Sequence, residues 1–184
     1  MNTDLRINLF KYKESDEVLK NVAGKSICFF TDSDIVHSSI SLNKKTFEET
    51  VDFEKCKIVH GAKMTDGIPQ CDYTIRYKKQ LTDKQFYALQ TWLEFSVEDE
   101  WPYNFLRLLS LMVVYPTRPL WKWINYVPFS GALYGEVCST YVDLALYFIG
   151  IDALPGQLER YTAPGDFLKR LVHDPDWEIT LHNI

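Results

Sequence analysis

Short runs of alternating apolar and polar residues fill the first half of the chain, and apolar residues at helical spacing fill the second. The run VHSSISL (36–42) alternates and predicts a strand. SICFFT (26–31), β-branched and aromatic, predicts a buried strand ahead of it, and TDSD (31–34) supplies the turn between them. A short helix is expected before that, capped around Ser15, Asp16 and Glu17 and stopped by Gly24. KIVH (57–60) and DYTIRY (72–77) predict two further strands, separated by a turn at Thr65, Asp66 and Gly67. The charged stretch 43–56 has no period that assigns it. From Thr82 the period changes. Thr82 and Gln85 stand at capping-box spacing, and Phe86, Leu89, Trp92 and Leu93 share one helical face through about Ser96. A very apolar helix is expected at 103–113, followed by a long loop over 116–135 with three prolines and two glycines. VCSTYVDLALYF (137–148) predicts a helix stopped by Gly150. Pro164 opens a last helix, and 177–182 predicts a closing strand. Strands first and helices second point to an α+β fold.

With 184 residues, the chain suits a single domain over 1–184, with 1–23 as an N-terminal extension. A net charge of −5 and a pI of about 5.4 lack the basic footprint that nucleic acid demands. The small basic patches around Tyr12 and Tyr77 read as solvated strand edges. The N-terminus has no signal-peptide pattern, and the apolar segment 105–115 is shorter than the ~20 residues of a membrane span. A soluble protein that is cytoplasmic as synthesised is therefore expected. Action outside the cell would need delivery by lysis, a phage particle or a secretion system. The four cysteines, Cys28, Cys56, Cys71 and Cys138, show no C-x-x-C pair, so neither structural zinc nor disulfides are expected, and no cofactor is implied.

Cys138 opens an apolar helix directly after the loop that ends at Gly135 and Glu136. A helix N-terminus carries about half a positive charge, which stabilises a thiolate and makes the sulfur reactive. Taken alone, a cysteine there also reads as a small core hydrophobe. A thiolate nucleophile needs a base. His37 begins a predicted strand after a turn, and His60 ends another. If those strands are antiparallel neighbours, one imidazole faces the thiol and the other holds it in its productive tautomer. Each also reads as a polar strand end. His173 and His182 have no evident partner.

Five landmarks then occur in order: IVHSSIS (35–41), KIVHG (57–61) with Gly67 and Ile68, WPYN (101–104), GEVCSTYV (135–142) running to Gly150, and TAPGDFL (162–168). Together these resemble the permuted branch of the NlpC-type, papain-like cysteine peptidase superfamily, which includes YiiX-like proteins. The resemblance spans roughly residues 24–172. It implies a circularly permuted papain-like fold: a small antiparallel sheet against helices, with the Cys-bearing helix C-terminal to the sheet. By the same resemblance Cys138 is the nucleophile, His37 its base and His60 the residue that orients His37. Tyr103 would lie beside the nucleophile and help hold the oxyanion. Many permuted members have Glu in the place given to His60, Gly or Val in that of Ser38, and Gly in that of Glu100.

The reading that follows is a thiol hydrolase that forms an acyl-enzyme and cleaves an amide such as a peptide or cell-wall peptide bond. Residues 105–134 would be an insertion that shapes the substrate groove, with Trp101 and Tyr134 at its edge. Two alternatives stand beside it: an acyl-lipid or thioester hydrolase or acyltransferase of the same fold, and a non-catalytic binding or virion-associated protein that uses the groove for recognition.

Overall fold

In a computed structural model of the chain, residues 3–16, 18–52, 59–101, 137–155 and 162–182 are described. They form an α+β structure. β1 (Leu5–Lys11) is followed by α1 (Val18–Thr31), β2 (Ile35–Leu42), β3 (Lys45–Asp52), β4 (Val59–Asp66) and β5 (Tyr73–Tyr77). Then come α2 (Asp83–Glu98), α3 (Cys138–Phe148), α4 (Pro164–Leu171) and β6 (Trp177–Leu181). The six strands make one antiparallel sheet in the order β4-β3-β2-β1-β5-β6. The expected helix at 103–113, the loop over 116–135, Tyr103 and Tyr134 lie outside the described residues.

The sheet has one apolar face because cross-strand partners share a side. Leu5 opposes Leu42, Ile7 opposes both Ile40 and Ile75, and Ile40 opposes Phe47. All six of these residues are buried. Leu89 and Leu93 of α2, Tyr141, Val142, Ala145 and Leu146 of α3, and Phe167 and Leu171 of α4 complete this core. The other face carries small polar residues that satisfy one another: Asn8 Nδ2 donates to Ser39 Oγ and Ser41 Oγ, and the Ser41 and Thr46 hydroxyls pair at 2.7 Å.

Several expectations give way here. Residues within 1–23 are not an appendage, since β1 lies between β2 and β5 in the middle of the sheet. SICFFT is not a strand but the last part of α1, which runs through Gly24 instead of stopping there. The glycine serves a close approach: a Cβ on it would sit 2.4 Å from the Tyr12 ring. The central place in the sheet is already taken by LRINLFK, and α1 leaves Phe29 largely exposed. The stretch 43–56 holds β3, joined to β2 by a two-residue turn at Asn43 and Lys44, both at positive φ (49° and 68°). The next strand, β4 from Val59, takes in the end of the expected 57–60 and runs on to Asp66, while residues 57 and 58 lie outside the described residues.

Other elements form where the pattern put them. α2 starts on the Thr82–Gln85 capping box, α3 ends before Gly150, Pro164 opens α4, and β6 closes the sheet's far edge.

Candidate active site

α3 starts at Cys138, with Val137 as its N-cap. Valine has no side-chain acceptor, so the first-turn backbone N–H groups are not capped from that position. The Thr140 hydroxyl instead accepts from the Val137 N–H at 3.0 Å and donates back to the Val137 carbonyl. The positive end of the helix is therefore directed at the cysteine itself.

The segment after α3 fixes this helix start. The Ser139 hydroxyl donates to the Thr162 carbonyl, and the Thr162 hydroxyl donates to Asp143 at 2.7 Å. All three of these residues are buried. Asp166 then caps α4 by accepting the Ala163 N–H at 3.0 Å. α4 in turn abuts the residues leading into β2: a Cβ on Gly165 would meet Ser33 Oγ at 2.3 Å and Ser33 Cβ at 2.7 Å. The same short segment thus ties down both the start of the cysteine helix and the approach to the histidine strand.

His37 sits near the beginning of β2, beside a break in the register. Phe10 opposes His37 and Lys11 opposes Ile35, which leaves Val36 as an extra residue. Such a bulge kinks a strand and re-aims the side chains next to it. The Phe10 ring flanks the imidazole at 5.3 Å. His37 Nε2 lies 2.6 Å from Glu48 Oε2 on β3, and the other carboxylate oxygen, Oε1, lies 3.2 Å from Lys63 Nζ on β4. The remaining imidazole nitrogen, Nδ1, is the one left for the thiol, and His37 and Cys138 lie close enough for each to shift the titration of the other. The Ser38 backbone N–H also helps to draw the thiol down.

Burial is the largest single influence on each of the three groups, and it opposes charge on all of them. It is outweighed in each case. The Cys138 thiolate and the Glu48 carboxylate push His37 up from 6.5 to about 10. The imidazolium, with help from Lys63, pulls Glu48 down from 4.5 to about 2. The imidazolium and the Ser38 N–H hold the Cys138 thiol below its ordinary value. Near neutral pH imidazolium and carboxylate are paired, and the thiol beside them is drawn towards its charged form. The Cys138 residue is only 6% exposed, whereas the His37 side chain is 25% exposed, so the pair opens to solvent along the imidazole.

The sequence-predicted residues thus divide. Cys138 and His37 meet. His60 lies in β4 opposite Val51, and β3 stands between that strand and β2, so the expected neighbouring of the two histidine strands does not occur. The group on His37 Nε2 is Glu48, from the stretch whose pattern assigned nothing. Trp101 packs edge-on against Trp92, which lies against Tyr141 of α3, and its carbonyl accepts the Ala62 N–H of β4. Glu100, in the place where the family has Gly, adopts a positive φ of 48°, the conformation glycine accepts most readily.

Among the described residues, no three His, Cys, Asp or Glu side chains gather as metal ligands would, and no helix is long and apolar enough to cross a membrane. Compared with known proteins, the chain matches no family model, no curated protein and no solved structure.

Proposed function

We propose that the chain is a cysteine hydrolase with a circularly permuted papain-like arrangement, in which Cys138 is the nucleophile, His37 the general base and acid, and Glu48 the residue that orients His37. The observation that carries this reading is the buried contact of Cys138, His37 and Glu48, charged in alternating sign at a helix N-terminus. Structural cysteines are ordinarily neutral and packed as hydrophobes. A thiolate held by an imidazolium, itself held by a carboxylate, is what acyl transfer through sulfur requires.

The sulfur attacks a carbonyl carbon and forms a tetrahedral adduct, whose oxyanion is stabilised by backbone N–H at the start of α3. His37, protonated at the outset, gives its proton to the leaving amine, and the carbonyl re-forms as a thioester. Neutral His37 then takes a proton from water as it attacks the thioester, and thiolate and imidazolium are restored. Glu48 keeps the Nε2 proton in place throughout. The substrate class this chemistry serves best is an amide, such as a peptide or cell-wall peptide bond, because amide cleavage needs the general acid that the His37–Glu48 pair supplies. Esters and thioesters are the nearest alternatives.

The test is alkylation by iodoacetamide at pH 5 to 7, with the adduct located by peptide mass mapping, alongside hydrolysis of a panel of peptide, muropeptide and acyl-ester substrates. Cys138 is expected to react at least ~10-fold faster than Cys28 or Cys71, both of which have raised pKa values. Cys138→Ser is expected to abolish both labelling at that site and turnover. A Cys138 no more reactive than the other thiols at pH 6 would sink the reading.

A further inference from the structure

The pairing of β2 with β3 ends where the candidate site begins. The two strands share three register pairs, from Leu42 opposite Lys45 to Ile40 opposite Phe47. Beyond them β2 stays with β1 as far as Ile35, and β3 stays with β4 as far as Asp52. Among the described residues, therefore, no backbone ladder joins His37 to Glu48. The 2.6 Å contact between His37 Nε2 and Glu48 Oε2 spans this opening by side chains alone. A glutamate side chain is long and its last torsion is broad, so a carboxylate that must reach a diverging strand needs something to fix it.

The fixing group stands on the far side, on β4. Lys63 lies directly opposite Glu48 in register, the cross-strand position at which side chains meet. Its Nζ is 3.2 Å from Oε1, the carboxylate oxygen that His37 does not use. β4 is itself anchored beside this pair: the Ala62 N–H donates to the Trp101 carbonyl at 3.0 Å, and a Cβ on Gly61 would sit 3.0 Å from that same oxygen. The Glu48 side chain is 18% exposed and that of Lys63 47%. An ion pair with one end this open to water adds little to stability. Its effect lies in where it directs the carboxylate.

We infer that Lys63 is a positioning residue for the proposed reaction, whose ammonium holds Glu48 Oε1 and thereby keeps Oε2 on the His37 ring across the opening between β2 and β3. This rests on the reading of Cys138 as nucleophile and His37 as base, and Lys63 acts on them only through Glu48. The role has a sign that separates it from a simple field. As a bare charge, Lys63 opposes the imidazolium, so its removal would raise the His37 titration point. As the residue that places Glu48, its removal frees the carboxylate to turn to water, and the His37 titration point falls. The other groups around His37 are the uncharged Phe10 ring of β1 and Cys138 at the start of α3, while Lys45 of β3 is paired with Glu94 of α2 and Asp166 of α4 is engaged in its own cap. Changing the Lys63 side chain alters none of these.

The experiment is the NMR titration of the His37 ring from pH 5 to 11 in the full chain, for wild type, Lys63→Met, Lys63→Gln and Lys63→Arg. Met and Gln both drop the charge and keep an unbranched stem, so either one reads the effect if the other does not fold. Both are expected to lower the His37 titration point by about half to one pH unit. Lys63→Arg, which can still donate to Oε1, is expected to stay close to wild type. A titration point that is unmoved or raised in Met and Gln overturns the inference. So does a fall in Lys63→Arg as large as theirs, which would assign the effect to packing instead of to the held oxygen. Either of these results leaves the cysteine hydrolase reading standing, provided Cys138 of the wild type outpaces the other thiols in iodoacetamide alkylation at pH 6. A Cys138 of ordinary reactivity at that pH overturns both.

Discussion

Replacing Glu48 by Gln removes one charge from the site while keeping its shape. Burial alone would push the Glu48 carboxyl up, yet contact with the His37 imidazolium, helped by Lys63, brings it from 4.5 to about 2, equivalent to about 3 kcal/mol at ~1.36 kcal/mol per unit. Its side chain is 18% exposed, so solvent screens this interaction little. His37 moves further than Glu48 does because the thiolate adds to the carboxylate. Loss of Glu48 should therefore remove only part of the rise in His37, about 1–2 pH units.

The signs follow from the directions. A carboxyl held low contributes stability that is complete above 4.5 and lost as pH falls through about 2. An imidazole held high contributes stability that is complete below 6.5 and lost as pH rises through about 10. In Glu48→Gln the acid-side loss disappears, and the alkaline loss, which still begins near 6.5, is complete about 1–2 units earlier. The direct assay is the NMR titration of the His37 ring from pH 5 to 11, with the Cys138 alkylation profile beside it. Because the thiolate loses part of its counter-charge, alkylation at pH 5 should fall by about 10- to 100-fold. If His37 titrates at the same pH in both proteins, the carboxylate is not what holds the imidazolium, and the electrostatic account of the site is wrong.

Cys138→Ser should fold normally and lower the His37 titration point, while leaving it above 6.5 because Glu48 still pairs with it; NMR reads this directly. His37→Ala should leave burial as the main influence on Cys138 and raise its thiol above 9.0, so that alkylation below pH 8 almost ceases. Thr162→Val removes the hydroxyl that donates to buried Asp143 at 2.7 Å, and thermal melts should show a loss of about 1–2 kcal/mol. Gly165→Ala drives a methyl to 2.3 Å from Ser33 Oγ, and denaturant unfolding should register about 1–3 kcal/mol of destabilisation. Adding Ser33→Gly should recover most of it in a double-mutant cycle.

What the chain revealed before its structure, and what it hid, have physical reasons. Cys138 and His37 stood out in the sequence because each stands at the start of an element with a strong pattern. The middle strand of the sheet was not, although LRINLFK alternates cleanly, because its position at the N-terminus made it look like an extension. SICFFT misled in the opposite direction. Its residues favour strands, but helix and strand cannot be told apart in a short apolar run, and tertiary context decided. The β2–β3 turn was hidden because Asn43 is followed by Lys44, not by the glycine that usually marks such a turn. Losing that turn meant losing β3, and with it Glu48. The residue on His37 Nε2 comes from β3, the neighbour of β2, whereas His60 stands on β4, one strand farther out.

The site works against the effect that should dominate it. Burial on its own would leave a neutral thiol, a neutral imidazole and a protonated carboxyl, three groups with little chemistry at pH 7. The fold reverses this by ordering them. Cys138, His37, Glu48 and Lys63 come from α3, β2, β3 and β4 in turn, and their charges alternate along that line. Each interior member has an opposite charge on both sides, so desolvation is met twice over at His37 and at Glu48. The two ends are treated differently. Lys63, about half exposed, is met by water. Cys138 is buried, and the fold supplies backbone dipoles beside it: the start of α3 and the Ser38 N–H. A buried end that is stabilised by dipoles rather than by a second full charge has a practical consequence. Dipoles favour charge on the sulfur without neutralising it, which suits the nucleophilic role proposed for Cys138.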